Sequence, residues 1–213
     1  YTQEMRRLLA VFFRLLYNEF AWTYDLVSWV LSAGQWRAWQ RTALPLLQPG
    51  PTLEVGHGPG HMLLAISRGG EQAFGIDLSL AMGGLAGRRL NRHGLPARLG
   101  RAQVQALPFS DATFANLLAT FPTEYIVDPQ ALREFARVLR PGGRLVVVPV
   151  AEITGPAPVD RAAALLFRIT GQSTDAWFAP VLERFAQAGL PARIESVRLE
   201  RSRVTLIIAE AGA

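Results

Sequence analysis

Cysteine and lysine are both missing from these 213 residues. Without cysteine the chain has no disulfide, no thiolate–zinc site and no thiol nucleophile, a usage that fits an intracellular, cytoplasmic protein. Histidine is scarce: His57, His61 and His93 are too few and too scattered for a metal centre, so no metal is expected. All 22 basic side chains are arginines, set against 17 acidic ones, for a formal net charge of +5. They stand singly or in pairs such as Arg6-Arg7 and Arg88-Arg89, never in a run. That argues against a nucleic-acid partner and leaves anionic lipids or substrates compatible. Charged residues make up only 18% of the chain and apolar ones 50%, a balance that gives no indication of disorder. Apolar stretches such as Leu8 to Phe13 and Leu26 to Val30 are far too short to span a bilayer. The length suits one domain with a small appendage.

What the chain does have is a run of alternating glycines. Thr52 to Val55 is a short apolar strand that carries Glu54, and Gly56-His57-Gly58-Pro59-Gly60 follows. Three residues without Cβ let the backbone turn sharply and approach a bound molecule. The helix beginning near Gly60 presents unpaired N–H groups to that molecule. A second strand ends at Asp77, about twenty residues on, where a ribose-binding carboxylate is expected in nucleotide folds. Strands are predicted near 52–55, 72–76, 97–100, 114–119 and 144–150, alternating with helices near 60–68, 79–93 and 129–139. Asp128-Pro129 is a helix start and Pro141-Gly142-Gly143 a stop. A helix near 177–188 and an antiparallel hairpin of strands 192–199 and 203–210 finish the chain. Residues 4–47 read as helical, broken at Ala33-Gly34, and an apolar helical patch lies around Leu165 to Ile169.

The third glycine of a dinucleotide fingerprint would fall on His61, so the pattern is acidic-x-G-x-G-x-G instead. This resembles the first motif of class I S-adenosylmethionine (SAM) dependent methyltransferases. The segments Asp77 to Met82, Leu107-Pro108-Phe109-Ser110-Asp111-Ala112-Thr113-Phe114 and Leu139-Arg140-Pro141-Gly142-Gly143-Arg144-Leu145 resemble later motifs of that family, in order. The resemblance implies an α/β Rossmann-like fold: a seven-stranded, mostly parallel sheet with an antiparallel last strand. It implies residues 1–47 as an N-terminal helical cap and 48–213 as the SAM-binding domain.

It also implies roles. Asp77 would accept the ribose hydroxyls, and Glu54 would lie beside the methionine end. Gly56, His57, Gly58 and Gly60 would form the loop, with His57 and His61 near the carboxylate. Leu78 and Met82 would line the adenine, although core filling is an equal reading of Met82. Ala119 and Thr120, with Phe121, would run beside the transferred methyl. Where the family has Gly-Asp-Ala after strand three, Gly100-Arg101-Ala102-Gln103 stands here. Arginine has no acceptor, so the contact with the adenine amino group passes to Gln103 or a backbone carbonyl, with Ala102 alongside, or is absent.

Tyr24-Asp25 and the residues to Gly34, with Arg37 and Trp39, resemble the entry helices of ubiquinone/menaquinone C-methyltransferases. That similarity assigns Tyr24 as a cover for the cofactor. It implies a small acceptor, apolar or aromatic, in keeping with five tryptophans and eleven phenylalanines. Candidate bases are Glu124 and Tyr125 after strand four and Tyr17, Tyr24 or Asp25 from the N-terminal helices, and none stands in a diagnostic constellation. Arg7 and Arg14 beside Leu8, Leu9, Phe12, Leu15 and Leu16 suit either packing on the domain or peripheral contact with a membrane. Two rival readings are a non-catalytic scaffold on the same fold and an NAD-type oxidoreductase.

Overall fold

The structure, a computed structural model, describes residues 23–157, 160 and 175–212. Tyr17, the apolar face from Leu8 to Leu16 and the Leu165–Ile169 patch lie outside the described residues. Helix α1 (Tyr24–Leu31) and helix α2 (Trp36–Arg41) come first, followed by a short 3-10 turn at Leu44–Leu46. The break between the two helices falls at Ala33 and Gly34, both with positive φ (50° and 82°). The Ser32 hydroxyl accepts the Trp36 N–H at 3.0 Å and restarts the chain as α2.

Strands and helices then alternate: β1 (Thr52–Val55), α3 (His61–Arg68), β2 (Ala73–Ile76), α4 (Leu80–Asn91), β3 (Arg98–Gly100) and β4 (Phe114–Thr120). Helix α5 (Pro129–Val138) leads into β5 (Leu139–Ile153), and α6 (Asp175–Gln187), β6 (Ala192–Arg198) and β7 (Ser202–Glu210) complete the chain. Helix starts follow local chemistry: Ser79 accepts the Met82 N–H at 3.2 Å, and Asp128 accepts that of Gln130 at 2.8 Å.

The sheet order is β3-β2-β1-β4-β5-β7-β6. β1 to β5 are parallel, and β7 runs antiparallel to both neighbours. Alternation sorts the central strands onto two faces. Leu117, Leu145 and Val147 join Leu132 and Phe135 of α5 and Phe185 of α6 on one side. Leu118, Val146 and Val148 join Met62 and Leu63 of α3 and Trp39 of α2 on the other. Trp39 is fully buried, and its indole N–H donates to Ser202 Oγ at 2.7 Å. The segment before β1 is thereby fixed to the far end of β7.

β5 is longer than its expected span of 144–150. Pairing of Leu139 with Phe114 starts it early, and the register slips between Phe114 and Asn116 as Pro141-Gly142-Gly143 passes. Ile153 still pairs with Ser202, so β5 also runs on past Val150.

Candidate functional site

In open parallel sheets ligands bind beyond the carboxyl ends of strands, where the strand order reverses. Here that point lies between β1 and β4, with β2 beside β1. The glycine loop leaves β1 at this point. Gly56 and His57 both donate backbone N–H groups to the Ile76 carbonyl, at 2.8 and 3.3 Å. Gly60 has φ +79°, and a Cβ placed on it would stand 2.7 Å from that of Ala86. Only glycine lets α3 start this close to α4. Gly58 is different: φ is +52°, but a Cβ there would meet nothing within 4 Å. Its backbone borders open space.

Asp77 holds the loop. Its Oδ2 accepts the Gly58 N–H at 2.9 Å and its Oδ1 accepts the Ser79 N–H at 2.8 Å. A carboxylate offers about four acceptor positions, so two remain for a ligand. Glu54 is 1% exposed and one of its oxygens, Oε2, has no partner among the described residues. Burial pushes its carboxyl well above the usual range; the nearby Asp77 charge adds to this and the Leu63 backbone N–H opposes it. His57 is buried too, with Nδ1 2.7 Å from the Gly58 carbonyl oxygen and Nε2 unpartnered among the described residues. Burial pushes this imidazole down, against the pull of Asp77. A nucleoside with a charged tail fits these residues. Spare carboxylate lone pairs, a backbone open to close approach and an orphaned buried acid suited to a cation all face one loop.

The other expected positions divide. Leu78 is 58% exposed at the end of β2, and its carbonyl accepts from Arg101 Nε at 2.9 Å. Arg101, where the resemblance would put an adenine acceptor, therefore fixes the backbone next to Asp77. Gln103 is exposed and Ala102 half-buried beside it. Met82 is 1% exposed, so it offers no face to a ligand in this conformation and fills the core under α4. Ala119 is likewise sealed, while Thr120 is half-buried, its hydroxyl accepting from Gln40 Nε2 at 3.0 Å. Phe121 follows with φ +50° and stacks on Trp36, ring centroids 4.1 Å apart. Tyr24 meets the edge of Trp36 at 6.4 Å. Of the candidate bases, Glu124 is exposed, and the Tyr125 hydroxyl donates to the Val55 carbonyl at 3.0 Å, bracing the start of the glycine loop.

One cluster was not anticipated. His61 Nε2 lies 2.8 Å from Asp25 Oδ1, and Arg89 donates to Asp25 Oδ2 at 2.8 Å. Arg89 also reaches the Pro59 carbonyl. Asp25, expected as one of several base candidates, is the joint between α1, α3 and α4. Its carboxyl is held low, first by the His61 hydrogen bond and then by the charges around it.

A glycine turn braced by a carboxylate at the switch point of a mostly parallel sheet is the layout of a nucleoside-binding protein of Rossmann-like architecture. Comparison with known proteins narrows this. A family model described as a methyltransferase domain matches residues 52–143. The demethylmenaquinone methyltransferase of Thermus thermophilus is 34% identical over 160 residues, covering 72% of this chain and 70% of that protein. The ubiquinone/menaquinone biosynthesis C-methyltransferase UbiE of Syntrophotalea carbinolica is 35% identical over 153 residues, 67% of this chain and 63% of that one. Among solved structures, geranyl diphosphate C-methyltransferase from Streptomyces coelicolor shares the fold, with a TM-score of 0.61 at 17% identity over 81% of this chain and 78% of that chain. The chain belongs to the class I SAM-dependent methyltransferases, and its cofactor is SAM. That membership sets aside the NAD-type oxidoreductase reading. Among the described residues no helix is long and apolar enough to cross a membrane.

Proposed function

We propose that this protein methylates a small aromatic acceptor of the hydroquinone class at a ring carbon. The structural observation that carries the reading is the aromatic wall past β4, where Trp36 stacks on Phe121 and Tyr24 meets the edge of Trp36. Flat, electron-rich rings pack well against such a wall. The names of the Thermus and Syntrophotalea relatives support the same class, and so do the exposed apolar side chains Leu26, Trp29 and Val30 on α1.

Bound SAM supplies a methyl group already activated by its sulfonium. The protein's task is to hold and align. Asp77 accepts the ribose hydroxyls with its two remaining positions, and the backbone from Gly56 to Gly60 cradles the methionine end. Glu54 and His57 lie under that end, and Glu54 faces the ammonium in its ionised form. Leu78, with Ala102 and Gln103, lines the adenine, Met82 supporting them from the core. Thr120, with Ala119 behind it, flanks the methyl, and Tyr24 covers it. Residues 1–47 act as the cap that selects the acceptor over the domain of residues 48–213.

The test is transfer of a deuterated methyl from labelled SAM, read by mass spectrometry, in a panel of hydroquinones, simple phenols, phospholipids and amines. Label on a hydroquinone ring supports the reading. Label only on an amine or a phospholipid contradicts it.

A further inference from the structure

Beside the glycine loop is a cavity of about 280 Å³ lined by Asp25, Ser28, Trp29, Gly34, Trp36, Arg37 and His61. It lies between α1, α2 and the first turn of α3. Trp36 is common to this cavity and to the aromatic wall, because its ring stacks on Phe121 just past β4. The cavity and the aromatic wall past β4 therefore share the Trp36 ring.

Its floor holds an imidazole and a carboxylate in fixed relation. Asp25 Oδ1 is 2.8 Å from His61 Nε2, and Asp25 Oδ2 is held by Arg89 at 2.8 Å. Arg89 is tied in turn to the Pro59 carbonyl of the glycine loop. With an ionised carboxylate facing Nε2, the proton of a neutral imidazole sits on Nε2 and the lone pair on Nδ1. No hydrogen bond occupies His61 Nδ1 among the described residues, and the side chain keeps 14% of its surface exposed. Burial keeps the ring neutral by pushing its pKa down, outweighing Asp25; the charges of Arg89 and Arg37 push the same way. Oriented by Asp25 and neutral at physiological pH, Nδ1 is a proton acceptor.

We propose that His61 is the general base of the reaction and Asp25 its positioning residue, the acceptor hydroxyl being deprotonated in this cavity. This rests on the hydroquinone reading above. In the step, the acceptor O–H bond breaks and its electron pair stays on oxygen, enriching the ring. The proton forms a bond to Nδ1, and the resulting imidazolium is balanced by Asp25. The ring carbon bonds to the methyl as the methyl–sulfur bond breaks with its electron pair left on sulfur. The hydrogen on that carbon then moves to the oxygen as the ring regains aromaticity. One proton is released overall, and His61 passes it to solvent. A positioned base of this kind contributes about 10²- to 10⁴-fold in rate.

Three measurements on the full chain test this. Imidazole nitrogen NMR on the protein alone should show His61 protonated at Nε2 and bare at Nδ1, and Asp25→Asn should disturb that state. Methyl transfer to a hydroquinone should rise with pH through the His61 titration and level off. His61→Gln should lose that pH limb and about 10²-fold or more in kcat, with SAM binding by calorimetry unchanged. The loss should shrink with acceptors bearing electron-withdrawing groups, whose hydroxyl ionises unaided. If His61→Gln turns over like the parent, or loses SAM binding and activity in parallel, the base assignment is overturned. A parent protein that methylates no hydroquinone overturns the acceptor reading and this role with it. That outcome is distinct from one where parent and variant are equally active.

Discussion

The backbone N–H of Gly58 and the Oδ2 of Asp77 are 2.9 Å apart, although 19 residues of sequence separate them. The loop after β1 and the acid after β2 are therefore set by one another. Whatever binds the acid is met by the loop in the same geometry. The bond also explains why Gly58 is held at φ +52° with no side chain crowding it.

Gly58→Val accordingly tests the loop without a clash inside the protein. Left-handed backbone costs a branched residue about 1–2 kcal/mol, so the variant should fold with a lower unfolding midpoint. Its side chain would project into the open space beside the loop, and SAM affinity should fall at least tenfold. Calorimetry and thermal unfolding on one preparation separate the two effects. Parent-like affinity would remove the loop from the cofactor site.

Glu54 predicts a trade between stability and binding. Its carboxyl titrates well above the ordinary 4.5 in the folded chain, so the folded state holds a proton that the unfolded state has released. Stability therefore declines as pH rises from about 4.5 toward the folded value, and levels off beyond it. Glu54→Gln mimics the protonated form. It should melt higher than the parent at pH 8, with the difference vanishing near pH 4, while binding SAM more weakly because a cationic tail loses its counter-charge. A variant that melts lower at pH 8 would show that the acid is already compensated.

Trp36 of α2 is joined to the end of β4 through its stack on Phe121. Trp36→Ala should raise the acceptor KM more than it lowers kcat, and cost about 1–3 kcal/mol of stability through lost packing. Trp36→Phe should keep most of both. Steady-state kinetics on the acceptor identified by the labelled-methyl screen decides it, and an unchanged KM in the alanine variant would detach the cap from acceptor selection.

Much of this was legible in the sequence because it is local. Alternating apolar residues place β1, β2 and β4 within a residue of where they lie, and Ser79 and Asp128 mark their helix starts by side-chain chemistry. Contacts between elements were not legible. His61 and Asp25 are 36 residues apart, and Arg89 and Asp25 64, with no periodicity joining them. Tyr125 reads as a base from its position after β4, yet its hydroxyl is spent on the Val55 carbonyl. Met82 carries both of its weighed readings in the motif, and only the packing of α4 on the sheet buries it. Arg101 reads as a lost acceptor, and the structure gives it a backbone to hold.

The central claim is that Asp77 anchors the ribose of SAM, and one titration tests it most directly. Two charge-assisted hydrogen bonds, shared with competing water, predict a loss of about 2–4 kcal/mol in Asp77→Ala, or about 30- to 1000-fold in Kd. Because the side chain also holds Gly58 and Ser79, the variant should unfold about 1–3 kcal/mol more easily while remaining folded at 25 °C. Asp77→Asn keeps one acceptor oxygen and should lose less of both. SAM binding measured by calorimetry on the folded parent and alanine variant should show that drop. Equal affinity in the two would contradict the ribose assignment and the site built around it.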